Sequence, residues 1–113
     1  MNARAQLGRA GEDAAVALLE AEGYRVVGRN VRVPGGEIDV IARDGDTIVF
    51  VEVKARRNAS FGSAVRAVDA RKRATLRALA ADWLQVVAPR ARARFDVVTI
   101  DRGRAVLHRN AFA

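Results

Sequence analysis

An α/β sandwich on a mixed central sheet, with elements in the order αβββαββ, is the fold class that residue patterning predicts for this 113-residue chain. Three observations carry that prediction. Two stretches repeat apolar residues at helical spacing. Two Ile- and Val-rich stretches flank the tight turn Asp44-Gly45-Asp46. The second helical stretch separates that hairpin from a further strand pair, which is how helices come to cover a sheet.

The first helix is read over residues 6–22, where Leu7, Ala10, Ala14, Ala15, Leu18 and Leu19 recur at helical spacing and Gly23 supplies a stop. Gly8 and Gly11 weaken its first turns and point to close packing there. An extended segment runs from Tyr24 to Val33, and Pro34-Gly35-Gly36 turns the chain. Residues 37–43 and 47–55 form the central hairpin. A polar loop covers 57–63. A second helix begins at Val65 or Asp69 and ends at Val87, with Leu76, Leu79, Ala80, Trp83 and Leu84 on its apolar side and Pro89 beyond it. Residues 94–100 make the fourth strand, and Asp101-Arg102-Gly103-Arg104 turns into a short last strand at 105–108. With no internal repeat, low-complexity tract or linker, 1–113 reads as a single domain.

Composition narrows the function classes. Half the residues are hydrophobic, no apolar run approaches the ~20 residues of a membrane span, and the first residues lack a signal-type apolar segment. There is no Cys, so disulfides and thiolate metal sites are excluded and a cytoplasmic location is expected. The net charge of +7 is split unevenly: residues 1–54 hold seven basic and nine acidic residues, residues 55–113 thirteen and four. Such a split points to a polyanionic partner, nucleic acid before an anionic membrane. The bland alternative is an Arg-rich surface reflecting coding composition.

Within that chain one constellation carries chemistry. Asp39 lies in Gly36-Glu37-Ile38-Asp39-Val40-Ile41, and Glu52 and Lys54 lie in Phe50-Val51-Glu52-Val53-Lys54. Only two of the twenty basic residues are Lys, and Lys54 is one of them. A compact ammonium differs from a planar guanidinium in how it can act. Strand side chains alternate between faces. If Gly45-Asp46 is a two-residue loop, Asp44 pairs with Thr47, Asp39 falls opposite Glu52 and Glu37 opposite Lys54. Ile38, Val40, Val49, Val51 and Val53 then fill the other face. Opposed carboxylates repel, and a hard divalent cation such as Mg²⁺ or Mn²⁺ removes the repulsion. Asp39 and Glu52 are the expected ligands, the Val53 carbonyl a third oxygen. Glu12 heads a helical stripe with Val16 and Leu19 and is expected to join them directly or through water, while Asp13 faces solvent. Lys54 is placed to orient or deprotonate the attacking water, or to stabilise the phosphorus as it gains charge. The competing reading is a surface hairpin with ordinary salt bridges, Glu37–Lys54 among them.

Gly11-Glu12, Asn30, Gly36 to Ile41, Phe50 to Arg56, Lys72, Arg94 to Val98 and Asn110-Ala111-Phe112 follow one another along nearly the whole chain. In these blocks the sequence resembles the YraN-like family of small bacterial proteins, itself similar to archaeal Holliday-junction resolvases and the PD-(D/E)xK nuclease superfamily. The resemblance implies a restriction-endonuclease-like sandwich of two or three layers. It also matches Asp39, Glu52 and Lys54 to the superfamily's acidic and lysine positions, and Glu12 to the helix-borne Glu of the resolvases. Ile38 stands where that superfamily commonly has Pro.

The basic residues after the third strand are the expected phosphate contacts: Arg56, Arg57, Lys72, Arg73 and Arg77, with Arg66, Arg90, Arg92 and Arg94 weaker candidates. Each has a plain alternative as a solvated face. Asp96, alternating with Arg94, reads as an ion-pair partner. His108, the single His, reads as structural, and Trp83 as core. Phe61 and, less well, Tyr24 are candidates for stacking on bases. No glycine loop of phosphate-binding type appears, because Gly35-Gly36 precedes a strand. The expected function is a Mg²⁺- or Mn²⁺-dependent endonuclease on branched or structured DNA. The alternatives are a non-catalytic nucleic-acid-binding module on the same fold and, more weakly, a protein-interaction module. A homodimer would suit a symmetric substrate.

Overall fold

The computed structural model of the chain describes residues 3–56 and 68–113, with side chains from Ala10 to Ala55 and from Val68 onward. Helix α1 spans Ala3–Ala21. Its inward residues Ala15 and Leu19 are fully buried, with Ala14, Val16 and Leu18 packed alongside. It ends where Gly23 takes φ +89°. The Tyr24 N–H then reaches back to the Leu19 carbonyl at 2.9 Å and the Gly23 N–H to that of Glu20 at 3.0 Å. This paired closure satisfies carbonyls a helix end would leave exposed, and it needs a residue tolerant of positive φ.

Five strands follow in the spatial order β1 (Arg25–Val33), β2 (Gly36–Asp44), β3 (Thr47–Arg56), β4 (Arg92–Asp101) and β5 (Arg104–Phe112). All neighbours are antiparallel except β3 and β4, which run parallel. A parallel pair needs a crossover, and α2 (Ala70–Val87) supplies it. Asp69 caps that helix by accepting the Lys72 N–H at 2.9 Å. The chain is therefore α/β with the order αβββαββ. The helices cover opposite faces: Val40, Ala42, Val49, Val51 and Val98 meet α1, whereas Ile38, Ile41, Ile48 and Phe50 meet Leu79 and Ala80 of α2. This gives three layers.

Under α2, Phe50 meets Trp83 edge-on at 5.8 Å and Phe95 at 5.7 Å, and Phe95 stacks on Phe112 at 4.8 Å. The last contact explains why β5 runs to Phe112 rather than stopping at 108: its end buries an aromatic ring. Leu79 is buried against Gly36, where an added Cβ would sit 3.1 Å from it. Truncating Leu79 to Ala would cost about 2–5 kcal/mol.

A polar network runs from the middle of β4 to the β2–β3 turn. Asp96 is wholly buried. It accepts from Tyr24 Oη at 2.7 Å, Arg94 Nε at 3.1 Å and the Asn110 N–H at 2.9 Å. Arg94 also donates to Asp44 at 2.8 Å and to Tyr24 Oη at 2.6 Å. These bonds hold the Arg94 guanidinium charged against its burial. Asp96 is thus an ion-pair partner, as its alternation with Arg94 predicted. Two expectations are corrected. Tyr24 is 3 % exposed, so it offers no ring to a base, and Arg94 is spent inside the protein rather than on a phosphate.

Candidate metal and nucleic-acid site

The candidate site residues gather where β2 and β3 part, beyond the pair Val40–Val51. The β2–β3 ladder runs from Asp44–Thr47 to Val40–Val51, the register a two-residue loop dictates. Gly45, at φ +60°, takes the first turn position. The ladder closes one step short of the pair Asp39–Glu52. Beyond Val40 the alternation of β2 also breaks, because Ile38 packs under α2 with Ile41, although Val40 between them packs under α1. Ile38 was expected on the other face. The reason lies in Asp39. Its Oδ2 accepts the Val53 N–H at 2.9 Å, so the carboxylate lies between the strands and replaces the backbone acceptor that a continued ladder would have supplied.

This geometry keeps Asp39 beside Glu52 without a paired backbone. Glu52 is buried and Asp39 half-buried. Burial raises the pKa of both. The negative charge of Asp39 adds to the rise at Glu52, which reaches about 7 despite the opposing charges of Lys72 and Lys54. At Asp39 the rise is countered first by the Val53 N–H and then by Lys72, while the charge of Glu12 adds to it. The two carboxyl groups are close enough for each to perturb the other, and burial with mutual repulsion makes Glu52 the harder of the two to ionise. Two hard oxygen donors that repel one another fit a divalent cation of the Mg²⁺ type, completed by water and phosphate oxygens.

Glu12 approaches from the α1 side. Asn30 Nδ2 donates to its Oε1 at 2.9 Å, and Arg29 stands 3.9 Å away. Its charge reaches Asp39, yet among the described residues no three His, Cys, Asp or Glu side chains stand close enough to hold a metal together. Asp13 faces solvent, as expected, and pairs with Arg29 at 2.6 Å. Lys54 sits beside Thr99 of β4 in register, on the α2 face with Glu52.

Two contributions were not legible in the sequence. Lys72, expected to meet only phosphate, has its Nζ 3.7 Å from Glu52 Oε1. Asn30 holds Glu12 from a left-handed backbone, φ +50°. Asn tolerates that region better than most residues; Asn30 and Lys72 both stand in the blocks that carry the family resemblance, which marked these positions but not their contacts.

The expected phosphate contacts are dispersed. Lys72 is exposed, with Glu52 its ion-pair partner at 3.7 Å. Arg73 donates to the Val68 carbonyl at 2.7 Å and lies over the Phe112 ring at 5.4 Å. Arg77 donates to the carbonyl of Ala113 at 3.0 Å. Arg56 ends β3, while Arg57, Phe61 and Arg66 fall outside the described residues. His108 Nε2 meets Thr99 Oγ1 at 2.9 Å, and burial lowers its pKa, so it is neutral near pH 7. No helix among the described residues is long and apolar enough to cross a membrane.

Residues 11–100 match the model of an uncharacterised protein family, UPF0102. The chain is 51% identical over 106 residues to a UPF0102 protein of Beutenbergia cavernae, covering 93% of this chain and 90% of that one. It is 48% identical over 105 residues to one of Parafrankia sp., covering 92% and 89%. With one from Symbiobacterium thermophilum it shares 45% identity over 113 residues, covering 95% and 96%. From the family match and from similarity along nearly the full length of each relative, the chain belongs to the uncharacterised protein family UPF0102.

Proposed function

We propose that this protein is a divalent-metal-dependent endonuclease that hydrolyses phosphodiester bonds in branched or otherwise structured DNA. The observation that carries the reading is the pair Asp39–Glu52: two adjacent carboxylates, one buried and one half-buried, at the point where the β2–β3 ladder opens. Nothing in the fold requires that repulsion, and it hinders folding in the absence of a cation.

Asp39 and Glu52 would hold Mg²⁺ or Mn²⁺, with the Val53 carbonyl and Glu12 as further contacts, directly or through water. When bound, the ion would lower the pKa of its water and polarise the phosphoryl oxygen. Lys54, on the face and strand of Glu52, orients the attacking water, receives a proton or meets the charge that gathers on phosphorus. Asn30 fixes Glu12. Lys72 supplies a positive charge beside Glu52 for the flanking phosphate. Arg56, Arg57, Arg73 and Arg77 provide further backbone attraction, which positions a duplex without reading its sequence.

A second reading, a non-catalytic nucleic-acid-binding module, is favoured by one observation: the site is partly satisfied from within, Glu52 by Lys72 and Asp39 by the Val53 N–H. Two measurements separate the readings. Purified wild type and Glu52→Ala are incubated with branched and flapped DNA in Mg²⁺ or Mn²⁺. Cleavage by wild type alone is expected, and equal cleavage by both removes the assigned site. Mn²⁺ is also titrated into metal-free protein. No binding at millimolar metal, with DNA affinity intact, establishes the module instead.

A further inference from the structure

Turn chemistry is orthodox at two of the three hairpins. Gly35 takes the positive φ after Pro34, and Gly45 takes it between β2 and β3. The third hairpin breaks the pattern. Asp101 pairs with Arg104, so the loop between β4 and β5 has two residues, Arg102 and Gly103. Both have positive φ, +52° and +77°. This is the twisted two-residue turn whose first position is normally Asn, Asp or Gly. A long side chain with a Cβ is disfavoured there, and a strained residue that persists points to a use for its side chain.

The place of the strain makes the use specific. β3 and β4 are parallel, with Lys54 beside Thr99 and Arg56 beside Asp101. The hairpin tip therefore projects beyond the same end of the sheet as Asp39, Glu52 and Lys54. Glu52 lies beside Val97, so Arg102 stands five residues past the carboxylate pair, about 17 Å along the strand direction. That distance spans about five base-pair steps of duplex, at 3.4 Å each. Arg102 and Arg104 are both exposed, and neither forms an ion pair among the described residues. Across the site, Arg71 and Lys72 are exposed on the first turn of α2.

We infer that the β4–β5 hairpin is a nucleic-acid backbone clamp, in which Arg102, held in a left-handed conformation, grips a phosphate a few nucleotides from the carboxylate pair, with Arg104 beside it. This rests on the reading of nucleic acid as the partner, and it adds a surface that residue order alone did not single out.

Wild type, R102N, R102G, R102K and R43N are titrated onto fluorescent branched DNA in EDTA at 50 and 200 mM salt, and each is melted without DNA. Arg43 is an exposed Arg at the opposite end of the sheet, so R43N removes the same charge elsewhere. R102N and R102G should melt at or above the wild-type temperature yet bind DNA more weakly at 50 mM. Their deficit should narrow by about 3.5-fold at 200 mM, because one fewer counterion is released. R102K should bind like wild type, and R43N should keep the wild-type salt slope. Wild-type affinity and slope in R102N and R102G would overturn the clamp while leaving the nuclease reading in place. An equal loss in R43N would overturn it too, since total charge would then suffice. Lower melting temperatures for both R102N and R102G would refute the strain argument. A wild type that binds no DNA at 50 mM would remove the nucleic-acid partner, and the clamp with it.

Discussion

Replacing Glu52 by Gln should make the metal-free protein more stable at pH 8, although it removes a residue of the proposed site. The side chain keeps its shape and loses its charge. In the unfolded chain Glu52 releases its proton near 4.5; in the folded chain it does so at about 7, because it is buried beside Asp39. Between those values the folded state holds the extra proton, so wild-type stability falls as pH rises through this window and levels off above it. The full penalty is about 3 kcal/mol, taken from the difference between the two values. Gln also forfeits the pairing with half-exposed Lys72, worth ~0.2–1 kcal/mol. The net gain for E52Q at pH 8 is thus about 2–3 kcal/mol, or roughly 8–13 °C in Tm for a domain of this size. At pH 5 most of the penalty has not yet developed, and the gain should fall below about 1 kcal/mol. Urea unfolding at pH 5 and pH 8 in EDTA measures both numbers. An E52Q protein no more stable than wild type at pH 8, or one whose advantage is the same at pH 5, would show that the carboxylates are not forced together as described. Adding Mn²⁺ at pH 8 should stabilise wild type and close the gap, since ligand binding to the folded state adds to its stability.

Two further predictions address neighbouring groups. Lys72→Ala removes a cation that neutralises Glu52, so Mn²⁺ affinity measured by calorimetry should rise by about two- to fivefold, the equivalent of an exposed ion pair, while DNA affinity falls; unchanged or weaker metal binding would place the ion away from Glu52. Tyr24→Phe strips one hydrogen bond from fully buried Asp96 and one from Arg94 and should cost about 1–3 kcal/mol in urea unfolding. DNA affinity should not change, because the Tyr24 ring faces the interior.

Much of the fold was legible because it follows from local signals. Apolar periodicity located both helices, and Gly23 and Asp69 marked helix boundaries. The spacing around Gly45-Asp46 fixed the β2–β3 register as far as Val40–Val51. Legibility stopped one residue later. Alternation assumes a continuous ladder, and it placed Ile38 on the face of Val40. The ladder ends there because the Asp39 side chain takes a main-chain donor, an event no residue pattern records. Long-range pairs were lost for a similar reason. Lys72 meets Glu52 only because α2 begins over the end of β3, and Asn30 meets Glu12 only because α1 crosses β1. Ion pairs close in sequence, such as Arg94–Asp96, were readable, since alternation alone puts both on one face.

The two polar clusters of the sheet make opposite electrostatic choices, and that contrast bears on how the site can exist at all. Around Tyr24, buried Asp96 receives three donors, one of them the Arg94 guanidinium. Each charge there is matched, which is the condition under which a buried ion pair supports a fold. Where the β2–β3 ladder opens, two acids stand side by side, with Lys72 Nζ 3.7 Å from Glu52. A domain of 113 residues has only a modest stability margin. A penalty of about 3 kcal/mol at Glu52 therefore takes a large share of it, and other parts of the fold must offset that loss. The matched network does so along the same strands, from Asp96 beside Val51 to Asp44 at the β2–β3 turn: it fixes β4 against that turn through Arg94–Asp44 and against β5 through the Asn110 N–H. Strands fixed at one end can part at the other without losing register, and the gap where Asp39 lies requires that freedom.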